Sequence, residues 1–431
     1  MDRRNFIKSS AVAGGVIMSP FNILGQDKKL NVGIVGTGWW ATDMILPALM
    51  QSGQYNIIGI CDVDSAAMDK YETKLAGYSV TNVKRFKNYQ DLYKMNGLDV
   101  VVLATPIHWH ALQVIDASKK GLHLFMEKPI FYDIREGQAM NQAVQESGIM
   151  VQVDFEKLQF KPYQEVAQYI KEGNIGEVKQ VDAQIHFGSG DIVEKDIPST
   201  LDFDLWCGPA PVTKYLCKPD SNVIEWRRIS TYCPGHLYDW GIHHINSIRR
   251  IMGLGMPNSV MAMGGMASYE VTDNPDYASA HFDFDGLPVR WNHRSWGSVS
   301  FSNETNNGIF FYGEKGTIFV GDGGWSVIPR GRDAQRQDFG CPNDRVDTIG
   351  AIELQLRELT AAINKKSDSG ITAPLDDSSQ TTVAVNLANI SYRTEQKIYF
   401  NASDYSIKGD AKAQAMLKRE YRKPFEHPFK G

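Results

Sequence analysis

Cysteine is scarce and unpatterned in this chain of 431 residues: Cys61, Cys207, Cys217, Cys233 and Cys341 form no CxxC pair and no metal-ligand spacing. A disulfide-stapled scaffold and a cysteine-rich zinc module are thereby excluded, and no essential disulfide is expected. Excess charge of one sign is lacking too. The 45 basic and 50 acidic residues leave a formal net charge of −5, which argues against a nucleic-acid partner held by global charge. Beyond the first 26 residues no segment reaches the ~18 uncharged apolar residues that a spanning helix needs, so no permanent membrane span is expected. Internal repeats and low-complexity stretches are also missing. What the chain does have is 42% hydrophobic residues, enough to bury a full core over what its length, at roughly 150 residues per domain, makes two or three domains. Aromatics reach 11%, with 9 Trp, an excess that suits a pocket for flat or ring-shaped polar ligands.

The first residues read as a leader. Arg3-Arg4-Asn5-Phe6-Ile7-Lys8 precedes an uncharged stretch from Ser9 to Gln26 that is broken at Pro20, the layout of an export signal rather than of a membrane span. The paired arginines with Phe6 and Lys8 resemble the twin-arginine signal, whose substrates cross the membrane folded. Residues 1–26 are therefore expected to engage the twin-arginine export machinery and to send the protein to the periplasm.

Residues 27–155 read as a dinucleotide-binding domain. Leu30 to Val35 is an apolar strand followed at once by Gly36-Thr-Gly38-Trp-Trp-Ala41, and Ala41 to Met50 has helical spacing with a possible kink at Pro47. Asn56 to Ile60 is a second strand ending at Asp62. A glycine pair alone is a weak signal; strand before, helix after and an acid about 20 residues on make it specific. Gly36 permits the tight turn, Gly38 lets the backbone approach a pyrophosphate, and Ala41 keeps helix and strand close. Asp62 would accept hydrogen bonds from the adenosine ribose, and Asp62-Val63-Asp64 without a nearby arginine points to NAD rather than NADP.

Strands at 99–104, 121–126 and 149–153 alternate with helices at 108–119 and 133–147, which predicts a parallel, doubly wound sheet with its ligand beyond the carboxyl ends of the strands. Gly36, Asp62, Thr105 and Lys128 then project into one crevice, and Trp39, Trp40 and Glu127 flank them. His108 and His110 lie near the same edge, ranked behind Lys128 because a histidine at a helix start is more often capping or packing.

Residues 156–400 change pattern: a helix at 162–172 precedes alternating segments at 178–187, 259–269, 277–284, 289–296, 309–312 and 316–320, as in a large open, mostly antiparallel sheet. Helices are expected at 237–252, 347–364 and 377–397, and residues 401–431 as a tail packing on the body. The strongest site signal is Cys233-Pro-Gly-His-Leu-Tyr-Asp-Trp-Gly-Ile-His-His. Asp239 and His243 share a helical face, and a carboxylate beside an imidazole can fix its tautomer for general-base work; an ordinary helix face with a satisfied Asp–His pair fits as well. Consecutive histidines on a helix diverge by about 100°, which makes a metal cluster of His236, His243 and His244 the minority reading.

Together, the nucleotide fingerprint, Glu127-Lys128-Pro129 and Asp239-x-x-x-His243 resemble the glucose–fructose oxidoreductase/inositol dehydrogenase/rhizopine-catabolism (Gfo/Idh/MocA) family. The likeness runs from about residue 30 to the C-terminus and includes Thr105-Pro106-Ile107-His108-Trp109-His110, Leu205-Trp206-Cys207-Gly208-Pro209 and the tail around Asp410 to Pro424. It implies a Rossmann domain, an open-sheet domain used for homo-oligomers, Lys128 on the reacting hydroxyl and the nicotinamide ribose, Asp239 and His243 as the catalytic pair, a cis bond before Pro129, and Gln152 near the nicotinamide. Three departures border the expected pocket: Cys233-Pro234-Gly235 where glycines are usual, Asp154-Phe155-Glu156-Lys157 where glycine and basic residues are common, and Asn246 where an acid often follows.

The resulting expectation is an NAD-dependent oxidoreductase acting on a secondary hydroxyl of a sugar or glycoside, at pyranoside C3 for example, with tightly bound NAD. His243 takes the proton, Asp239 orients and charges it, and Lys128 stabilises the alkoxide. Lys157, Trp226, Arg227, Tyr238 and His244 join Lys128, Asp239 and His243 as substrate-binding candidates, with Trp206 and Trp240 as further stacking surface and Arg228 as a further cation. A redox glycosidase, in which transient oxidation drives elimination, hydration and reduction, uses the same residues. A non-catalytic sugar or NAD-binding protein is the third reading.

Overall fold

Residues 29–186, 188, 190–267, 272–297, 306–341 and 344–430 are described by a computed structural model. The leader expected over residues 1–26 lies outside the described residues.

Short apolar runs rich in Val and Ile build the first sheet from β1 (Leu30–Val35), β2 (Tyr55–Cys61), β3 (Lys84–Phe86), β4 (Val100–Leu103), β5 (His123–Met126) and β6 (Val151–Val153). The order is β3-β2-β1-β4-β5-β6, and every neighbouring pair is parallel. Both faces are covered, as fully apolar parallel strands require. Register does the positioning. Val35 sits opposite Cys61 and Leu103, Leu103 opposite Met126, and Met126 opposite Val153. The residues that follow each strand, Gly36, Asp62, Ala104, Glu127 and Asp154, therefore emerge level along one edge.

The helix after the glycine turn changes character just ahead of Pro47. It opens with a π-helical turn, Ala41–Ile45, in which the Leu46 N–H reaches back to the Ala41 carbonyl, and continues as the α-helix Leu46–Ser52. A wider turn ahead of Pro47 accommodates the proline ring and its missing N–H, which an uninterrupted α-helix would not. Its outer face meets the helix Thr348–Lys365 from far along the chain. There Tyr55 Oη donates to the Leu356 carbonyl at 2.8 Å, and Ile352, Leu356 and Leu359 enter the same apolar cluster as Ile34 and Ile45.

The second sheet has ten strands in the order β16-β15-β14-β13-β7-β12-β11-β10-β17-β18. They are β7 (Val178–His186), β10 (Ser259–Gly265), β11 (Tyr277–Phe284), β12 (Leu287–Arg294), β13 (Asn307–Gly313), β14 (Gly316–Gly321), β15 (Gly324–Pro329), β16 (Gln337–Gly340), β17 (Ile398–Asn401) and β18 (Ser406–Ile407), with β8 (Val193–Glu194) and β9 (Leu216–Cys217) forming a separate ribbon. Pairing is antiparallel except between β7 and β12, which run parallel. Helices Lys161–Lys171, Ile242–Met252 and Leu375–Thr394 pack on its inner face. The segment expected as one helix over 237–252 divides into a π-helical turn, Leu237–Gly241, and the α-helix Ile242–Met252.

The C-terminal residues strap the first sheet's helices. Arg419 reaches the buried Glu136 at 2.9 Å, Tyr421 Oη donates to Glu136 at 2.8 Å, and His427 lies 3.1 Å from Asp133. Glu136 and Asp133 belong to the start of the helix Ile134–Ser147, whose N-cap is Asp133. Removing one partner of a buried pair leaves the other charge uncompensated. Arg419→Ala is accordingly expected to lower the unfolding free energy by about 3–5 kcal/mol, read from urea titrations followed by tryptophan fluorescence; an unchanged midpoint would contradict the strap's role.

Candidate active site

The level strand ends open into a cleft of about 1610 Å³ that runs from the glycine turn to Asp239 and His243. Gly36 has φ +89°, and a Cβ there would stand 2.6 Å from the Ala104 carbonyl oxygen, so only glycine fits. Gly38 differs: nothing lies within 4 Å of where its Cβ would be, which leaves bare backbone facing the cleft at the start of a helix, where Thr42 N–H bonds the Gly38 carbonyl at 3.0 Å. That is the setting a pyrophosphate requires.

Asp62 ends β2 and accepts from the Thr37 N–H at 2.6 Å, the Thr37 hydroxyl at 2.9 Å and the Asp64 N–H at 3.0 Å. Burial raises its carboxyl above the usual range against those donors. Arg85, on the neighbouring β3, is bound to Asp69 and Glu72 and does not line the cleft. The donor and acceptor set fits a dinucleotide with free ribose hydroxyls. Trp39 and Trp40 line the same wall, edge to face at 5.2 Å. Thr105 lines it too, its hydroxyl donating to Gln113 at 2.6 Å.

At the other end Lys128 follows β5, through a cis bond to Pro129. Its ammonium donates to the Asp239 carbonyl at 2.7 Å and contacts the Asp239 carboxylate at 3.3 Å. Arg227 Nε donates to the same carboxylate oxygen at 2.9 Å. Burial would push Asp239 upward, but Arg227 and then Lys128 outweigh it and hold the carboxyl well below the usual range.

The expected Asp239–His243 pairing is corrected by this arrangement. Asp239 is taken up by the two cations, and the carboxylate beside His243 is Glu156, with Oε2 at 3.6 Å from Nδ1. Burial, then Lys128 and Lys157, lower the imidazole well below its ordinary value, so His243 is neutral near pH 7. Asp239 does not charge it. Glu156 belongs to a buried acid cluster with Glu127 and Asp154. Burial raises all three; Glu127 is raised further by the nearby charge of Asp154, and Trp40 Nε1 donates to Asp154 at 3.1 Å.

Five expected site residues do not reach the cleft. His108 is buried and donates to the Trp206 carbonyl at 3.0 Å, and burial lowers it to about 3. His110 spans the carbonyls of Thr105 and Pro129 at 2.8 and 2.9 Å, tying the two strand-end loops together from behind. Gln152 is buried under the sheet edge and bonds the Val153 carbonyl. Tyr238 points into the core. His244 is held by Asn307 at 2.8 Å and accepts from Trp291 Nε1 at 3.2 Å. His236 packs its ring against His293 at 4.4 Å and lines the cleft as His243 does, whereas His244 is turned away from it.

Trp226, Arg227, Lys157, Trp206 and Trp240 do line the cleft. Arg227 lies over the Trp226 ring at 4.4 Å. Lys157 is committed to Asp322 at 2.6 Å, an acid with no local sequence signal to mark it. Arg228, also on the wall, donates to the Gly190 carbonyl at 2.7 Å. Gly235 has φ +93° and carries the turn into the π-helical segment, and Asn246 bonds Thr381 at 3.0 Å in the core, away from the cleft. Glu156 was visible in the sequence only as a departure from the family's pattern.

Residues 30–155 match the model of an oxidoreductase family with an NAD-binding Rossmann fold, and residues 215–319 match the Gfo/Idh/MocA C-terminal domain. The chain is 24% identical over 296 residues to the 2,7-anhydro-N-acetylneuraminate hydratase of Mediterraneibacter gnavus, a match covering 68% of this chain and 67% of that enzyme. It is 25% identical over 201 residues to inositol 2-dehydrogenase of Salmonella paratyphi B, covering 46% of this chain and 57% of the relative. Levoglucosan dehydrogenase, solved with NADH and levoglucosan, superposes with a TM-score of 0.67 at 17% identity, over 86% of this chain and 99% of that one. The aldose-aldose oxidoreductase of Caulobacter crescentus gives 0.66 at 17% identity, over 86% and 100%. At these identities the structural likenesses establish the fold.

Gly36→Ala forces a side chain into the left-handed region and against the Ala104 carbonyl. It is expected to weaken dinucleotide binding at least about tenfold, some 1.4 kcal/mol, in a titration of tryptophan fluorescence, with the far-UV circular dichroism kept. Affinity within twofold of wild type would contradict the assignment of this turn.

Proposed function

The chain belongs to the Gfo/Idh/MocA oxidoreductase family, and on that premise we propose that it uses NAD to oxidise a secondary hydroxyl of a sugar or glycoside, pyranoside C3 among the candidates, in carbohydrate breakdown. One observation carries the reading: the half-buried ammonium of Lys128 and the buried imidazole of His243 line the same cleft that begins at the glycine turn.

Gly36, Gly38 and Asp62 would hold the dinucleotide, which when bound supplies the acceptor for the carbinol hydride. The protein's own part is positional and electrostatic. Lys128 has three N–H donors; Asp239 orients them, and the one left toward the cleft stabilises negative charge on a hydroxyl oxygen as it loses its proton. His243, kept neutral by burial and the neighbouring cations, accepts that proton. Trp226 and Trp240 offer ring faces for a pyranose, and the acid-neutralised Arg227 offers donors at the rim.

Two relatives support the substrate class, since inositol dehydrogenase and levoglucosan dehydrogenase are named for polyhydroxylated rings. The likeness to a hydratase, named for water addition rather than net oxidation, favours a second reading in which oxidation is transient: a redox glycosidase that returns the alcohol after elimination and hydration. Periplasmic work after twin-arginine export, with NAD carried out tightly bound, completes the proposal and rests on Arg3-Arg4-Asn5-Phe6-Ile7-Lys8. Homo-oligomerisation through the outer face of the ten-stranded sheet is proposed from the exposed Met261, Met263 and Tyr277.

Lys128→Ala is expected to cut turnover by about 10²–10³-fold while NAD affinity stays within a few-fold of wild type. The assay follows nucleotide absorbance and product masses over a panel of inositols, aldoses and glycosides. Turnover by the variant at the wild-type rate would remove Lys128 from the mechanism. Silence of the wild type across the panel, with no nucleotide retained through purification, would overturn the enzyme reading itself.

A further inference from the structure

The geometry points to Glu156 as the positioning acid of His243: it holds the Nδ1 side of the imidazole and receives the proton that His243 takes from the substrate hydroxyl. The inference rests on the hydroxyl oxidation proposed above and names the group in which the released proton comes to rest.

Four observations place Glu156 there. It opens the 3-10 turn Glu156–Gln159 directly after β6, so the same strand end that delivers Asp154 to the level edge also brings Glu156 into the cleft wall. Phe155, buried between the two acids, packs its ring edge-on to His243 at 6.3 Å and fixes the approach. Glu156 Oε2 is 3.6 Å from His243 Nδ1, just beyond hydrogen-bond length, as catalytic contacts often are before substrate binds. Both atoms are buried without another partner, which leaves Nε2 as the ring nitrogen toward the cleft. Asp239, the alternative acid, is occupied by Lys128 and Arg227.

The groups around Glu156 explain why it can exchange a proton near neutrality. Asp154 and Glu127 face it from the ends of β6 and β5. Lys157 follows it but is bound to Asp322, and Lys128 is bound to Asp239. From the helix side come His243 and, behind it, His244, itself held by Asn307. Among the described residues, no cation is dedicated to Glu156. Burial and the charge of Asp154 push its carboxyl up to about 8, with Lys157 and Lys128 opposing.

The proton steps balance without a charged imidazole persisting in the cleft. In the reactive form Glu156 is ionised and His243 carries its proton on Nδ1. The substrate O–H bond breaks and an Nε2–H bond forms; the Nδ1–H bond breaks and a Glu156 O–H bond forms. The oxidised nicotinamide dinucleotide, when bound, would accept the carbinol hydrogen together with its electron pair as hydride, which leaves a ketone. Oxidation then needs the Glu156 carboxylate and gains rate as pH rises through about 8, whereas ketone reduction needs the acid and is fastest below it.

The test compares wild type, Glu156→Gln and Glu156→Asp as full-length proteins with NAD added. Histidine ¹⁵N resonances are recorded against pH, and His243 is assigned with a His243→Asn variant. Wild type is expected to show a His243 ring-nitrogen transition with a midpoint near 8, Glu156→Gln to lose it, and Glu156→Asp to restore it in part. Initial oxidation rates on the same sugar panel should fall about tenfold per pH unit below that midpoint in wild type and be flat there in Glu156→Gln. A transition kept in Glu156→Gln, or an unaltered rate profile, overturns the role of Glu156. A transition that depends on Glu156 in a protein that turns over no sugar supports the proton pair and overturns the proposed function instead.

Discussion

The charge on Asp239 organises the cleft. An ionised carboxylate that is largely shielded from water costs several kcal/mol unless it is paired, and here Lys128 and Arg227 pair it from two sides. Lys128 comes from the end of β5 in the parallel sheet, Arg227 from the short turn Trp226–Arg228, and Asp239 from the π-helical turn Leu237–Gly241. One carboxylate thus ties the nucleotide-binding half to the other half where the reacting group of a substrate would sit. Asp239 is thereby no longer available to His243, whose imidazole is kept neutral by burial and then by Lys128 and Lys157. The base therefore needs another acid, and the end of β6 supplies one.

Everything else in the cleft follows from the level strand ends. A parallel sheet delivers residues rather than side-chain networks, and five strand ends bring a glycine turn, Asp62, Thr105, an ammonium and three further acids to one edge. The π-helical turns stand at both working ends, next to the glycine turn and at Asp239, as such wide turns often do at functional sites. Buried histidines do the quieter work. His110 holds the loops that carry Thr105 and Lys128, and His108 ties the first helix of that edge to Trp206. Since a shared fold hosts many activities, Lys128, His243 and the open backbone at Gly38 support oxidoreduction more than the superposition does.

How much was legible in the sequence divides by range. The glycine turn, Asp62 and Lys128 are local signals, readable because a strand end specifies where its next residue points; the alternating pattern likewise predicted the parallel sheet. The i, i+4 spacing of Asp239 and His243 placed both at the cleft but said nothing of the partners that arrive from residues 128, 156 and 227. His108, His110, His244 and Tyr238 were misplaced for the same reason. Whether an imidazole faces a cleft or a carbonyl depends on segments such as Trp206, 98 residues from His108. The parallel pairing of β7 with β12 and the short strands β15 to β18 leave no period in the sequence, and the packing of Thr348–Lys365 on the first sheet is a purely tertiary event.

The most direct measurement of the central claim is isotope transfer within the purified protein. Ring-deuterated inositols, aldoses and glycosides are mixed with enzyme carrying NAD, and the nucleotide is recovered for mass spectrometry. The account predicts deuterium on the nicotinamide ring from at least one of these sugars, in a single turnover and lost in Lys128→Ala. Saturating binding of such a sugar beside the nucleotide with no deuterium transferred would contradict it.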